Sequence, residues 1–142
     1  MDRELIEIFN DEIGELKMEI SPILESLKTN SQQQDLFKNF AQIIDRIYGT
    51  ATTMGFDEIG AYLGNVRNLS RKASSSNIPR GMLEVFKIAK TCTENFELMQ
   101  NSLISSDAAK ELSAKLQFET KKINKIDTEI FSFSKEAKTI LT

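Results

Sequence analysis

Apolar residues along this chain recur at intervals of three and four, and strand-like alternation never persists before that helical spacing returns. Leu5, Phe9, Ile13, Leu16, Ile20, Ile23 and Leu27 step along one face of a first helix, expected over about residues 2–28. Pro22 interrupts that run. A proline inside a helix removes a backbone hydrogen bond, so either the helix kinks there or Ser21 caps a new start with Pro22 in its first turn. The polar residues 29–34 read as a loop, after which Leu36, Phe40, Ile43, Ile47 and Met54 mark a second helix ending near Gly55. A third helix follows with Asp57 as its expected cap and Ile59, Leu63, Val66, Leu69 and Ala73 as its buried stripe. Gly60 and Gly64 on that helix form a small-residue face suited to close helix approach within the bundle. Beyond the polar residues 74–77 and the turn at 78–81, Met82, Val85, Phe86, Ala89, Cys92, Phe96, Met99 and Leu103 define a fourth helix. Four amphipathic helices with short connections predict an all-α, antiparallel four-helix bundle over residues 1–104.

The pattern changes over residues 105–142. After Ser105, Ser106 and Asp107, which resemble a helix cap, a seven-residue repeat places Ala109, Leu112, Leu116, Glu119, Ile123, Ile126, Ile130, Phe133, Ala137 and Ile140 on one stripe, broken only by Glu119. Two readings follow: an additional long C-terminal helix packing back along the bundle, or a coiled-coil seam for a second copy or a partner. At ~1.5 Å per residue such a helix approaches ~50 Å, longer than a bundle of ~25-residue helices needs, which favours some overhang.

A chain of 142 residues has the size of one domain with an appendage, and 40% apolar with 27% charged residues is ordinary for a folded soluble protein. The net charge of −3 gives no general attraction to phosphate backbones. Lys121, Lys122 and Lys125 are interleaved with other residues and read as a solvated face, so nucleic acid is not an expected partner. No run of ~18 apolar residues and no basic-then-apolar leader is present, so a membrane partner is not expected and the cytoplasm is the expected compartment. Chemistry is narrowed most by a missing residue, since the chain has no histidine. Ser-His-Asp and Cys-His catalysis are excluded, as are zinc sites built on histidine, and no calcium-hand loop or glycine-rich phosphate loop is present. A carboxylate-only magnesium or calcium site stays open on residue type alone, but with no motif to place one, no metal and no cofactor is expected. Cys92, the sole cysteine, has no internal disulfide partner and reads as a small core residue.

One stretch is worded more specifically than an amphipathic helix requires. Projected at about 100° per residue from Leu36, the residues Phe40, Ile43, Ile47, Ala51 and Met54 cluster in one direction, and Asp45 falls opposite them, pointing to solvent. Lys38, Ala41, Gly49 and Thr52 share the outward side. Gly49 costs a helix about 1 kcal/mol relative to alanine, and on that side the core gains nothing from it. Something is therefore expected to come close there.

Gly49, Thr50, Ala51 and Gly55, with Ile47 at an apolar position before them, make the second helix resemble the signature of histidine phosphotransfer (HPt) domains. In that signature a histidine is followed three positions later by lysine, then by Gly, Ser or Thr, Ala, and a second Gly. Phe40, Ile59 and Val66 continue the resemblance, which covers residues 1–104 as an order of helices. The departures fall on the chemical positions: Asp45 stands at the degenerate phosphosite in place of histidine, Tyr48 replaces the lysine, and Arg67 stands where the family often has an acid. Without an imidazole the relay reaction is excluded.

The resemblance therefore implies a non-catalytic pseudo-HPt protein that binds or scaffolds. A response-regulator receiver domain or a histidine kinase component is its expected partner, docked through Lys38, Ala41, Gln42, Asp45, Arg46, Tyr48, Gly49 and Thr52, with Tyr48 as the energetic anchor. The alternatives are an unrelated helical-bundle interaction protein and an enzyme. The enzyme would be a receiver phosphatase that aligns water with an acid/amide pair, for which Asp35 with Asn39, or Glu97 with Gln100 or Asn101, has suitable spacing. Homodimerisation through the C-terminal helix follows from the second of the two readings of residues 105–142, the coiled-coil seam.

Overall fold

The computed structural model describes residues 2–132. Among these, six α-helices follow one another and no strand is present: α1 (Arg3–Thr29), α2 (Gln34–Thr53), α3 (Asp57–Ser74), α4 (Pro79–Glu94), α5 (Phe96–Ser102) and α6 (Ser106–Ile126). A π-helical turn, Asp127–Ser132, continues α6.

Several helix ends have a local cause. The Asp2 carboxylate accepts from the Glu4 backbone N–H at 2.8 Å and starts α1. Pro22 lies within α1, which runs through it as one helix with no new start at Ser21. At the end of α2, Gly55 takes φ +80°, a left-handed conformation that glycine adopts without strain. The Phe56 N–H then donates to the Ala51 carbonyl (2.9 Å) and the Gly55 N–H to the Thr52 carbonyl (3.1 Å), a Schellman closure. Phe56 packs edge-on against Phe9 of α1, with ring centroids 5.2 Å apart, and so pins this turn to the bundle. The cap of α3 differs from the expectation for Asp57: Phe56 holds the cap position without a side-chain bond, and Asp57 is the first helical residue, where its charge favours the helix N-terminus. Pro79 opens α4 at the position that proline tolerates best.

The expected fourth helix is two helices, divided at Asn95. Asn95 is buried at φ −76°, ψ −9°, and its N–H is shared between the Thr91 and Cys92 carbonyls while its own carbonyl accepts from the Met99 N–H. The chain is thereby tightened at Asn95, whose own N–H and carbonyl both stay bonded across the break.

The most extensive helix contact joins α2 to α3. α1 packs on α2, α4 and α5; α3 packs also on α4; and α6 lies over α3, α4 and α5. One continuous core results, with Phe9, Phe37, Phe40, Tyr62 and Phe96 among its fully buried side chains. Leu112, Leu116 and Ile123 of α6 enter the same core, so over the described residues the heptad stripe packs back on the bundle. Ile130 and Phe131 of the π-helical turn lie against Gly81, where an added Cβ would meet Ile130 Cγ2 at 3.0 Å. Phe133, Ala137 and Ile140 of the repeat lie outside the described residues.

Polar groups in this core are few. Burial pushes the Tyr62 phenol above its ordinary value, with Cys92 and the charge of Glu119 acting in the same direction. The Cys92 thiol is pushed up to about 12 by burial, and the charge of Glu119 adds to the shift. Cys92 is therefore a protonated core side chain at neutral pH.

Candidate functional site

The α2–α3 pair runs antiparallel in a register that brings specific residues together. An added Cβ at Gly60 would meet Thr52 Oγ1 at 3.1 Å, and one at Gly64 would meet the Tyr48 ring at 3.1 Å. The two glycines thus let α2 approach closely, as their spacing predicts. One turn further along, Arg67 Nη1 reaches Asp45 Oδ1 at 2.8 Å, and Arg71 Nη2 lies 3.9 Å from the same oxygen. Between these contacts the Arg67 guanidinium covers the Tyr48 ring, 4.2 Å from its centroid.

This geometry redistributes the predicted surface. Lys38, Gln42, Asp45, Arg46, Gly49 and Thr52 are exposed. Ala41 is not: it is 2% exposed, contrary to the outward placement expected from the projection. The cause is that α2 is covered on two sides, by α1 and by α3. Phe37 and Ile44 are fully buried, whereas Leu36, from which the projection was set, is only partly so. The buried arc is therefore centred roughly 60–80° away from Leu36, and it takes in Ala41 and half of Tyr48. Tyr48 is half-buried beneath Arg67, whose own side chain is only 16% exposed, so neither group stands free on this face. Asp45 faces outward with its side chain about half exposed, but it is held by two arginines of α3 rather than standing free in solvent.

Gly49 is open. A Cβ built there would meet nothing within 4 Å. It forms part of one wall of a groove whose other wall is α1, lined by Ile8, Asp11, Glu12 and Glu15. The Thr50 hydroxyl lies 2.7 Å from both oxygens of the Glu12 carboxylate and ties the floor of the groove together. Further along the same seam Arg46 pairs with Glu19 at 2.8 Å, beside a second groove that includes Asn39 and Gln42. The α1 wall was missed by a reading centred on α2. Its signal lies in Ile8, Asp11, Glu12 and Glu15, which recur at three-to-four spacing on one face of α1.

Chemically, the site offers an exposed carboxylate anchored by guanidinium groups, a bare turn of helix backbone and an acidic wall. It has no imidazole and no free thiol, since Cys92 is fully buried. No cluster of three or more potential metal ligands is found among the described residues. Of the acid/amide pairs, Asp35 and Asn39 are both exposed near the start of α2, where Asn39 lines the second groove, and Glu97 and Asn101 are exposed on the short α5, with Gln100 partly covered. No helix of the described residues is long and apolar enough to cross a membrane. No family model matches this chain, and no curated protein or solved structure shows a significant likeness to it.

Proposed function

We propose that this protein is a pseudo-HPt binding module. On this reading α1, α2, α3 and the α4–α5 pair stand for the four helices of a phosphotransfer bundle, and α6 is an addition. A response-regulator receiver domain, or a kinase component, docks over the outward face of α2 and the facing wall of α1, without phosphotransfer. The observation that carries the reading is Gly49: exposed, at the centre of that face, and with nothing beyond its own turn of helix within 4 Å of an added Cβ. A mid-helix glycine that internal packing does not require leaves room for an external backbone or side chain. Asp45, occupying the position of the family's histidine and locked by Arg67, then presents a fixed charge in place of a transferable phosphoryl group.

The test is titration calorimetry of the protein against the receiver domains of its organism, with Gly49→Arg as the blocking variant. The expected result is micromolar or tighter binding to at least one receiver, weakened tenfold or more by Gly49→Arg, which faces open space and leaves the fold intact by circular dichroism. Absence of any receiver binding, or binding indifferent to Gly49→Arg, would remove the reading.

A further inference from the structure

Four carboxylates share the groove that Gly49 borders: Asp11, Glu12 and Glu15 on the α1 wall and Asp45 on the α2 wall. One cation lines the groove with them, Arg46, and its guanidinium is taken by Glu19 at 2.8 Å. Glu12 has a neutral partner in the Thr50 hydroxyl. Asp11 and Glu15 are exposed and make no ion pair among the described residues.

On the far side of Asp45 stand the two arginines of α3, and they are held unequally. Arg67 donates to Asp45 at 2.8 Å and to the Asn68 side-chain oxygen at 3.2 Å, and its face covers Tyr48. An incoming anion would have to displace these contacts to use it. Arg71 is more than half exposed and 3.9 Å from Asp45, so it is the more loosely held of the two. Five carboxylates, Glu19 included, thus face three guanidinium groups, which leaves the surface around Asp45 and Gly49 negative. Lys38 does not reverse that sign, because it lies two turns back, about 10 Å along α2, beyond the ~8 Å over which exposed charges are felt at physiological salt.

The chemistry of transfer fixes where a phosphoryl group would arrive. Transfer to a histidine requires the phosphorus to come up to the imidazole nitrogen, so a receiver docked as on a phosphotransfer domain brings its phosphoryl group to the position that Asp45 holds here. That group carries about two negative charges at neutral pH. It would meet the Asp45 carboxylate directly and the three acids of α1 across the groove. On the docking reading above, we infer that this face selects the unphosphorylated form of its receiver and repels the phosphorylated form. Like charges brought together at an interface suppress the wrong partner more effectively than missing contacts do. Phosphorylation of the receiver then acts as its release signal, and Asp45 is the specificity-determining residue.

The experiment takes a receiver that binds in the titration described above and compares it with and without beryllofluoride, which forms an anionic phosphoryl mimic on the receiver's acceptor carboxylate. At low salt the beryllofluoride form should bind about tenfold or more weakly than the untreated form. The difference should shrink at about 1 M salt, where charges are screened beyond ~3 Å. It should shrink also in the double variant Asp45→Asn/Glu15→Gln, both positions being exposed. Equal affinity for the two forms, or tighter binding of the beryllofluoride form, overturns the inference and leaves docking itself intact. A preference that neither salt nor the double variant alters also overturns it, because the receiver's shape rather than its charge would then be read. If the double variant does not fold, the salt dependence of the wild-type protein decides. Failure of every receiver to bind in either form removes the docking reading and this inference together.

Discussion

Gly49 and Gly64 are both helical glycines, but their surroundings give alanine and valine opposite signs at the two positions. At Gly49 an added methyl meets nothing, so Gly49→Ala should stabilise the protein by up to about 1 kcal/mol through helix propensity alone. At Gly64 the first added carbon already presses on the Tyr48 ring and comes within 3.9 Å of the Arg67 guanidinium that covers it. Gly64→Val should therefore cost about 1–3 kcal/mol, and urea denaturation of the two variants reads both effects. Asp45→Asn should cost less than about 1 kcal/mol, because that carboxylate is half exposed and its pairing is screened by solvent. Arg67→Ala should cost more, about 1–2 kcal/mol, since it also uncovers the face of Tyr48. Cys92 sets a pH dependence of definite sign. Its thiol titrates at about 12 in the folded protein against 9.0 ordinarily, so the unfolded chain loses that proton first as pH rises. The stability contributed is complete below about pH 9 and declines as pH climbs toward 12, with a limiting slope of about 1.4 kcal/mol per pH unit. Cys92→Ala should flatten the decline between pH 9 and 10, measured by denaturation at successive pH values.

At the scale of the element, α1 runs through Pro22 although that residue gives its helix no N–H, and both Pro22 and Met18, one turn before it, face solvent. Pro22→Ala restores a donor without removing core packing and should raise stability by about 1–3 kcal/mol in the same urea measurement. The helices themselves were legible because their apolar spacing is long and regular, and so was the end of α2, where Gly55 is the residue that a left-handed closure demands. The close approach of α2 and α3 could be read from Gly60 and Gly64. Other features depend on what surrounds a helix rather than on its own sequence. Ala41 looked outward only because the projection was set on a single direction, whereas α2 has two neighbours. The break at Asn95 escaped notice because the flanking apolar residues keep helical spacing across it. Glu119 was legible as an interruption of the stripe but not as a buried group, since periodicity assigns a face and says nothing of what is paired there.

For the molecule as a whole, the apolar stripe of α6 between Leu112 and Ile123 is already buried against the bundle. A seam for a second copy along those positions would require α6 to leave its place. Light scattering should therefore report the mass of one chain across micromolar concentrations, and a mass that rises with concentration would show that another surface associates. The candidate site is likewise assembled from several helices: α1 supplies the acidic wall, α2 the bare turn, and α3 the arginines that hold Asp45. The pairing of α2 with α3 also limits how such a site responds to an occupant. Were α2 to slide one turn either way, Asp45 would face Leu63 instead of Arg67, or Tyr48 would leave the clearance at Gly64 for Asn68. Either shift gives up a contact of the present register: the pair of Asp45 with Arg67 in the first case, the seat of the Tyr48 ring at Gly64 in the second. The two helices are a keyed joint, and a piston stroke between them would have to break one of these contacts before a partner at Gly49 could drive it.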